Sequence, residues 1–423
     1  MNETLKPKRL FLGKKLASSK LEGQLLPKSI ALPIFSSDPL SSVAYGPQEL
    51  LMILTLGGIS FLSFAPGIAA IVVLLLSVII LSYRRVIAAY PSGGGDYEVA
   101  MKNLGKKPAL VVASALLLDY VMTVAVSIAA GTDNIISAFP ELDPFRVEIA
   151  VGFILILTAT NLRGVRESGV AFAIPTYLFI ATVFLMIGAG LYQLATGHDL
   201  AAPSANYEVV VHDSIVSTSQ AALVLLLLRA FASGSAALTG VEAIANGVPA
   251  FRAPKIKNAQ TTLVLMGLTA VTMFAGMVTL ALAANVHYAE FPCEQLPGWA
   301  ECDTAPQMSL IAQVGSAVFG AGSPLFFVLQ VATAAILLLA ANTAFNGFPL
   351  LSSVLAKDKF APKALLTRGD RLVYSNGMLS LMLASLTLIL VFQASVTALI
   401  QLYVLGVFTS FTIGQLGMLR HWG

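Results

Sequence analysis

The sequence is poor in charged residues, which make up only 11% of its 423 positions. A soluble globular domain carries roughly 25% charged residues, so this composition excludes an ordinary soluble protein. Hydrophobic residues make up 57% of the chain, and its mean hydropathy is +0.83. These values indicate a multi-pass membrane protein surrounded by lipid. The net charge of +3 gives no indication of a nucleic-acid partner.

Residue patterns that carry enzyme chemistry are also missing. No GxSxG motif is present, and no Lys-Ser or Lys-Thr pair follows the glycines at 93–95, so neither a serine hydrolase nor a phosphate-binding loop is predicted. The following Asp96 is predicted to lie in a polar, gate-like cytoplasmic turn. The histidines are scattered without the spacing of a metal site, at His198, His212, His287 and His421. We therefore expect neither an enzyme nor a bound cofactor.

Ten apolar segments are predicted to cross the membrane, where a spanning helix needs about 20 residues. Their approximate ranges are 30–57, 64–83, 109–138, 147–161, 169–194, 217–249, 259–286, 324–348, 376–393 and 396–419. The predicted fold class is therefore an all-α membrane protein.

Lysine and arginine are distributed unevenly between the predicted loops. Residues 1–28 are basic and lack the apolar core of a signal peptide, whereas the loops at 195–216 and 287–323 contain no Lys or Arg. Cytoplasmic loops carry an excess of positive charge. We therefore expect the tail at 1–28 and the end at 420–423 to be cytoplasmic, the two loops to be extracellular, and the protein to lie in the cell (inner) membrane.

The first apolar segment contains a stretch that favours a break in the helix, SSDPLSSVAYG at Ser36–Gly46. Pro39 removes a backbone donor, and the serine hydroxyls compete for helical hydrogen bonds. Irregular backbone at membrane depth persists only where protein or water surrounds it, and it forms the binding sites of many secondary transporters. Asp38 is predicted to lie in the break, and a carboxylate at that depth is a functional candidate.

The sixth segment repeats this arrangement. The run ASGSAALTG at Ala232–Gly240 comes just before Glu242, so a second predicted break lies beside a second acid. First and sixth segments correspond when ten spans are divided into two groups of five, which predicts an inverted repeat of residues 29–194 and 217–419. The alternative is that Gly and Ser only permit close helix packing.

The third segment adds further polar groups to an apolar span. Asp119, Thr123 and Ser127 are spaced i, i+4 and i+8, so they lie on one helix face. Thr239 and Glu242 add oxygens after the second break. Carboxylate and hydroxyl oxygens are ligands for a hard cation. Burial disfavours the charged form of an acid, so at least one of these acids is a candidate proton carrier.

Two details of this predicted site follow from the same pattern. We expect backbone carbonyls near Ser36–Asp38 and Ser233–Ser235 to be free to join the cation ligands. The alternative for each acid is a structural role, with its charge satisfied by the backbone or by Arg229.

Five motifs together resemble one transporter family. They are DPLSSVAYG (Asp38–Gly46), YPSGGGDYE (Tyr90–Glu98), LLDYVMTVAVSIAAG (Leu117–Gly131), LTGVEAIANGVPAF (Leu238–Phe251) and GQLGMLRHW (Gly414–Trp422). Over nearly the whole chain the sequence resembles the KUP-type potassium importers, KimA branch, of the amino acid–polyamine–organocation superfamily. The resemblance implies a ten-helix inverted-repeat fold and potassium import coupled to protons.

The resemblance also implies a set of cation-binding residues. They fall on Asp38, Tyr45, Asp119, Tyr120, Thr123, Ser127, Thr239, Glu242 and Tyr403, and the candidates for the proton-carrying acid are Glu242, Asp119 and Asp38. Members of this branch have two more helices, followed by a cytoplasmic domain that mediates dimerisation and binds a cyclic dinucleotide regulator. This chain ends at Gly423, so the homodimer and the regulator are expectations for a longer form.

Amino acid permeases of the same superfamily are the nearest alternative. They resemble this chain in the PSGGGDY turn and in the LAKDKFAPK loop at Leu355–Lys363, but their first break is rich in glycine, whose bare N–H groups receive a substrate carboxylate. Here Asp38 would repel that carboxylate, so a cation is favoured. A channel is the weaker alternative, because no TVGYG-like filter is present.

The two cysteines, Cys293 and Cys302, both lie in the predicted extracellular loop at 287–323. Disulfides persist in oxidising compartments, so we expect the two to be bonded there. Such a bond would stabilise the loop without taking part in transport.

Overall fold

The computed structural model describes residues 25–93, 95–163, 169–213, 220–302, 304–368 and 373–423. Of the basic tail predicted at 1–28, residues 1–24 lie outside the described part of the chain. The described residues are almost entirely helical, with one isolated parallel bridge between Leu26 and Phe251 and no β-strand among them. The all-α prediction is confirmed.

Fifteen α-helices are found among the described residues, and short 3₁₀ helices connect or interrupt them. In chain order the α-helices are α1 (Lys28–Ser41), α2 (Gly46–Thr55), α3 (Ala65–Ala89), α4 (Gly95–Asn103), α5 (Lys106–Ala138), α6 (Arg146–Leu162), α7 (Gly169–Ala195), α8 (Gln220–Gly234), α9 (Glu242–Asn246), α10 (Lys255–Ala283), α11 (Pro292–Gln295), α12 (Leu310–Phe319), α13 (Pro324–Lys357), α14 (Ser375–Val391) and α15 (Val396–Trp422).

Eight helical segments of the described chain are long and apolar enough to cross a membrane. They are Ile59–Ala89, Lys106–Ala138, Pro140–Leu162, Phe172–Ala195, Leu223–Asn246, Lys255–Ala283, Pro324–Lys357 and Val396–Trp422. Each overlaps one of the ten predicted segments. The predicted first segment is divided between α1 and α2, and the predicted ninth corresponds to α14, which has 17 residues. The chain is thus a multi-pass membrane protein.

The first segment is interrupted, but at the end of the predicted stretch. Helix α1 continues through Asp38 and Pro39, and a 3₁₀ turn at Ser42–Ala44 followed by Tyr45 separates it from α2. The Ser41 hydroxyl donates to the Asp38 carbonyl at 2.8 Å. The predictions that Asp38 lies within the break and that carbonyls at 36–38 are free are therefore wrong.

The sixth segment is also interrupted, again later than predicted. Helix α8 ends at Gly234, a 3₁₀ helix covers Ser235–Leu238, and α9 begins at Glu242. Between them Thr239 is extended, and Gly240 has a φ of +77°, in the left-handed region that favours glycine. Ser233 and Gly234 lie in the last turn of α8 and Ser235 begins the 3₁₀ helix, so free carbonyls at Ser233–Ser235 stay a prediction.

The predicted extracellular loop at 287–323 has structure of its own. It contains α12, whose first seven residues are buried and whose N-terminus is capped by the Ser309 hydroxyl. Cys293 and Cys302 are bonded to each other, as expected.

Helix α5 lies at the centre of the helix packing. It packs most extensively against α13 and α15, while α2 packs against α8. The two interrupted segments and the polar face of α5 are therefore brought into one region of the interior.

Candidate cation site

The two interrupted segments are joined by hydroxyl groups at their breaks. Ser42 Oγ lies 2.7 Å from Thr239 Oγ1 and 2.8 Å from Tyr45 Oη. All three residues are almost completely buried. The local sequence positions them, because the 3₁₀ turn in the first segment and the extended backbone at Thr239 turn these side chains out of regular helical register. A connected set of oxygens therefore lies between the breaks.

Asp38 lies directly against the second break. A Cβ atom built on Gly240 would lie 2.7 Å from Asp38 Oδ2 and 2.9 Å from Pro39 Cδ. Only a residue without a side chain permits this approach, and the positive φ of Gly240 requires glycine as well. The last turn of α1 and the start of α9 are consequently held close together.

The predicted polar face of α5 is buried and faces α15. Thr123 Oγ1 lies 3.0 Å from Tyr403 Oη of α15. Asp119 and Ser127, one turn to either side of Thr123, are 3% and 1% exposed. Tyr403, which only the family resemblance assigned to the cation site, therefore lies beside Thr123, another residue of that set.

Several of these polar atoms have no hydrogen-bond partner among the described residues. They are Asp38 Oδ1, Asp119 Oδ1, Glu242 Oε2 and Ser127 Oγ. An unsatisfied buried polar atom costs about 1–3 kcal/mol, and a charged one costs more. Folded proteins leave few such atoms. Four in one region indicate that a ligand or a proton completes the site.

Two adjoining cavities lie beside this region. A cavity of about 230 Å³ is lined by Asp38, Glu242 and Tyr120. A larger one of about 710 Å³ shares Tyr120 and Asn246 with it, and extends to Glu98 and Lys102 on α4. Two of the acids therefore line a cavity that adjoins a larger cavity beside α4.

The nine predicted residues form two groups, which meet where the side chain of Tyr45 contacts that of Tyr403. Asp38, Glu242 and Tyr120 line the smaller cavity, and the Ser42 hydroxyl links Tyr45 with Thr239 beside it. The second group lies between α5 and α15 and consists of Asp119, Thr123, Ser127 and Tyr403.

The acids of the two groups do not form one metal-binding cluster. Within the part of the chain that the structure describes, no three His, Cys, Asp or Glu side chains lie close enough to hold one metal ion. Any single cation bound here would therefore take hydroxyl ligands together with carboxylates.

Three polar residues of the interior were not predicted to lie there. Ser42 was interpreted only as a helix breaker, although its hydroxyl joins the two breaks. Glu49 on α2 is 0% exposed and accepts a hydrogen bond from Thr397. Asp96 was placed in a polar turn, and this is wrong, because it is buried near the start of α4. An acid within or next to an apolar run is the signal that marks both acids in the sequence.

Comparison with known proteins places the chain in a family. The family model described as amino acid permease matches residues 43–423. The chain belongs to the amino acid permease family.

Within this family, a curated relative is the potassium transporter KimA of Bacillus subtilis (strain 168). It is 43% identical over 416 residues, which cover 98% of this chain and 64% of KimA. The chain thus spans about two thirds of the length of that relative. Among solved structures, a Na⁺-coupled sialic acid symporter in a substrate-bound outward-open state is similar, with a TM-score of 0.46, 12% identity, and coverage of 96% of this chain and 82% of the symporter.

Proposed function

We propose that this amino acid permease family member imports potassium together with protons by alternating access. The observation that carries the proposal is the buried acidic region at the interrupted segments, where Asp38, Asp119 and Glu242 each keep an oxygen without a partner. Carboxylates and hydroxyls are hard ligands that suit an alkali cation. The curated relative at 43% identity is described as a potassium transporter, which supports the same substrate.

Oxygen atoms of the nine residues together replace the hydration shell of the entering potassium ion. Asp38 supplies negative charge from α1, and Tyr45 and Thr239 supply hydroxyls from the two breaks. Asp119 lies with the hydroxyls of Thr123, Ser127 and Tyr403, and Tyr120 faces the smaller cavity with Asp38. Potassium binds as substrate, and transport needs no cofactor.

The proton is carried by one of the acids of the site. Asp38, Asp119 and Glu242 are all buried, and the three cannot remain ionised together without strong mutual repulsion. Glu242 and Asp119 are the first candidates, followed by Asp38. Protonation of one acid lowers the negative charge of the site, and a bound potassium ion lowers it further.

The architecture behind this mechanism is a bundle of ten spans in a 5+5 inverted repeat. Eight spans are the long apolar helices, and α1 with α2 and α14 supply the other two. The N-terminus lies in the cytoplasm, so the cavities beside α4 open towards the cytoplasm of the cell membrane. We extend the proposal to the homodimer and the cyclic dinucleotide regulator that the resemblance implies.

Proton-coupled amino acid transport is the second candidate, because the matching family model is that of amino acid permeases. The two candidates differ in what the first break offers to a ligand. An amino acid needs N–H donors for its carboxylate, whereas Asp38 places an acceptor next to Gly240. This difference favours the cation.

Purified protein in proteoliposomes tests the proposal. The interior pH is followed after addition of potassium, sodium or a panel of amino acids, with empty liposomes as the control. We expect potassium alone to acidify the interior. Acidification with an amino acid and not with potassium would establish the second candidate, and potassium entry without any proton movement would indicate a channel.

A further inference from the structure

Asp96 forms a buried cluster outside the nine-residue site, where α3, α4 and α15 meet. It is the second residue of α4 and is 1% exposed. Its Oδ2 accepts hydrogen bonds from Tyr83 Oη on α3 at 2.8 Å and from Ser410 Oγ on α15 at 3.0 Å. A Cβ on Gly414 of α15 would overlap the same carboxyl group. A single carboxyl group therefore connects three helices.

We propose that Asp96 is a proton-binding site that senses the cytoplasmic pH and, when protonated, holds α3, α4 and α15 together. In the described part of the chain its hydrogen bonds come from hydroxyl groups, and no Lys or Arg pairs with it. A buried charge without a cation is unfavourable. Two hydroxyl donors and the N-terminus of α4 partly stabilise it, so both protonation states are accessible.

The titratable groups around Asp96 come from each element packed near it. Tyr83 lies on α3, and the charge of Asp96 acts on Asp119 of α5 and Glu242 of α9. From α15 the contacts are the Ser410 hydroxyl and Gly414. Tyr120 of α5 is a further group on which the charge of Asp96 acts, and α4 itself carries Tyr97, Glu98 and Lys102. Where Asp119 or Glu242 is ionised, its negative charge opposes ionisation of Asp96.

The cluster is also connected mechanically to the break in the sixth segment. Gly93 and Gly95, just before Asp96, lie against Asn246, the last residue of α9. Glu242 is the first residue of the same short helix. A change in the packing of α4 therefore reaches the element that carries a proposed proton-carrying acid.

Helix α4 lies between two spans, outside the membrane-spanning helices. Burial raises the pKa of Asp96 to about 7, although the hydrogen bonds from Tyr83 and Ser410 lower it. An Asp in an unfolded chain has a pKa of about 3.9. Between pH about 4 and about 7 the folded protein therefore binds a proton that the unfolded chain does not. The free energy of unfolding falls as the pH rises through this window.

Thermal unfolding of the purified protein in detergent tests the site without requiring transport. The unfolding temperature is measured between pH about 5 and about 8 for the wild type, Asp96→Asn and the control Glu98→Gln. Asn retains an acceptor and resembles the protonated acid. We expect the difference in unfolding temperature in favour of Asp96→Asn to grow by several degrees from the acidic end to the alkaline end. A constant difference between the two proteins would overturn the proposal.

Tyr83→Phe provides a second test that does not depend on altering Asp96. It removes a donor that stabilises the ionised carboxylate, and a hydrogen bond to a charged group corresponds to about one pKa unit. In the wild type the unfolding temperature stops falling once the pH exceeds the pKa of Asp96. In Tyr83→Phe we expect the fall to end at a pH about one unit higher. An unchanged profile would contradict the role of Asp96, even if Asp96→Asn failed to fold.

The effect on transport depends on the proposed function. Potassium influx is measured in separate sets of proteoliposomes, each buffered at a different internal pH. We expect the ratio of wild-type influx to Asp96→Asn influx to rise severalfold from acidic to alkaline internal pH, because ionised Asp96 weakens the packing of α4 against α3 and α15. A ratio that does not vary with internal pH would overturn the sensor role. If no variant transported potassium, the proposed function would fail, while the unfolding profiles would still decide whether Asp96 binds a proton.

Discussion

Gly240 and Asp38 are in direct contact across the two interrupted segments, so closely that a Cβ on Gly240 would lie 2.7 Å from Asp38 Oδ2. The contact joins residues about two hundred positions apart in the sequence. It places the last turn of α1 against the start of α9, and both carry an acid of the proposed site.

Replacing Gly240 by Ala is expected to disrupt this contact. A left-handed backbone costs a non-glycine residue about 1–2 kcal/mol, and the added methyl group would displace the Asp38 carboxyl group. We expect potassium uptake to fall by at least about tenfold and the unfolding temperature to drop. Gly188→Ala is the matched control, because nothing lies within 4 Å of a Cβ at that helical position. Wild-type uptake by Gly240→Ala would show that the close approach is not needed.

The bond between Ser42 and Thr239 can be tested by removing either hydroxyl. Ser42→Ala or Thr239→Val breaks a buried hydrogen bond worth about 0.5–1.5 kcal/mol. We expect the potassium concentration for half-maximal uptake to rise by about three- to tenfold. Thr239→Ser keeps the hydroxyl and should retain near-normal uptake. Equal behaviour of Thr239→Val and Thr239→Ser would exclude a role for the hydroxyl.

The acids of the site are tested by neutral substitutions of nearly the same shape. Asp38→Asn removes a charge that attracts the ion and Glu242→Gln removes a candidate proton carrier, and we expect both to abolish net potassium uptake in a transport-deficient host. Asp199→Asn, at an exposed position of the loop at 195–216, should leave uptake unchanged. Normal uptake by either site variant would show that the acid is not part of the cation site.

The same acids can be separated by their role in coupling. The acid that carries the proton, when made neutral, should permit potassium exchange across the membrane without net proton movement. We expect this behaviour from Glu242→Gln or Asp119→Asn, measured as potassium-dependent pH change compared with labelled rubidium exchange in proteoliposomes. If both variants still moved protons with the ion, the proton would have to be carried by Asp38.

The disulfide between Cys293 and Cys302 is predicted to affect stability and not transport. A disulfide that closes a short loop contributes about 2–3 kcal/mol in the chain-entropy account. We expect a reductant, or the double substitution Cys293→Ser and Cys302→Ser, to lower the unfolding temperature while uptake remains near normal. Loss of uptake at temperatures where the double variant is folded would place the loop in the transport mechanism.

The sequence by itself determined where the apolar helices lie and which residues are exceptional within them. Runs of about 20 apolar residues and the chemistry of Pro, Ser and Gly are local properties. They were sufficient to locate eight long helices, two interrupted segments and the acids Asp38, Asp119 and Glu242. The spacing of Asp119, Thr123 and Ser127 also fixed their common face, because helical geometry alone decides it.

Only the tertiary structure decided which residues meet. Helix α1 continues through Pro39 although proline lacks a backbone donor, and Ser42 becomes part of the site through Thr239, which lies far away in the sequence. The burial of Asp96 results from the approach of α15, whose position depends on its packing against α5. These features arise from contacts between distant segments. Local patterns therefore identify the polar groups of this protein, but packing determines their partners.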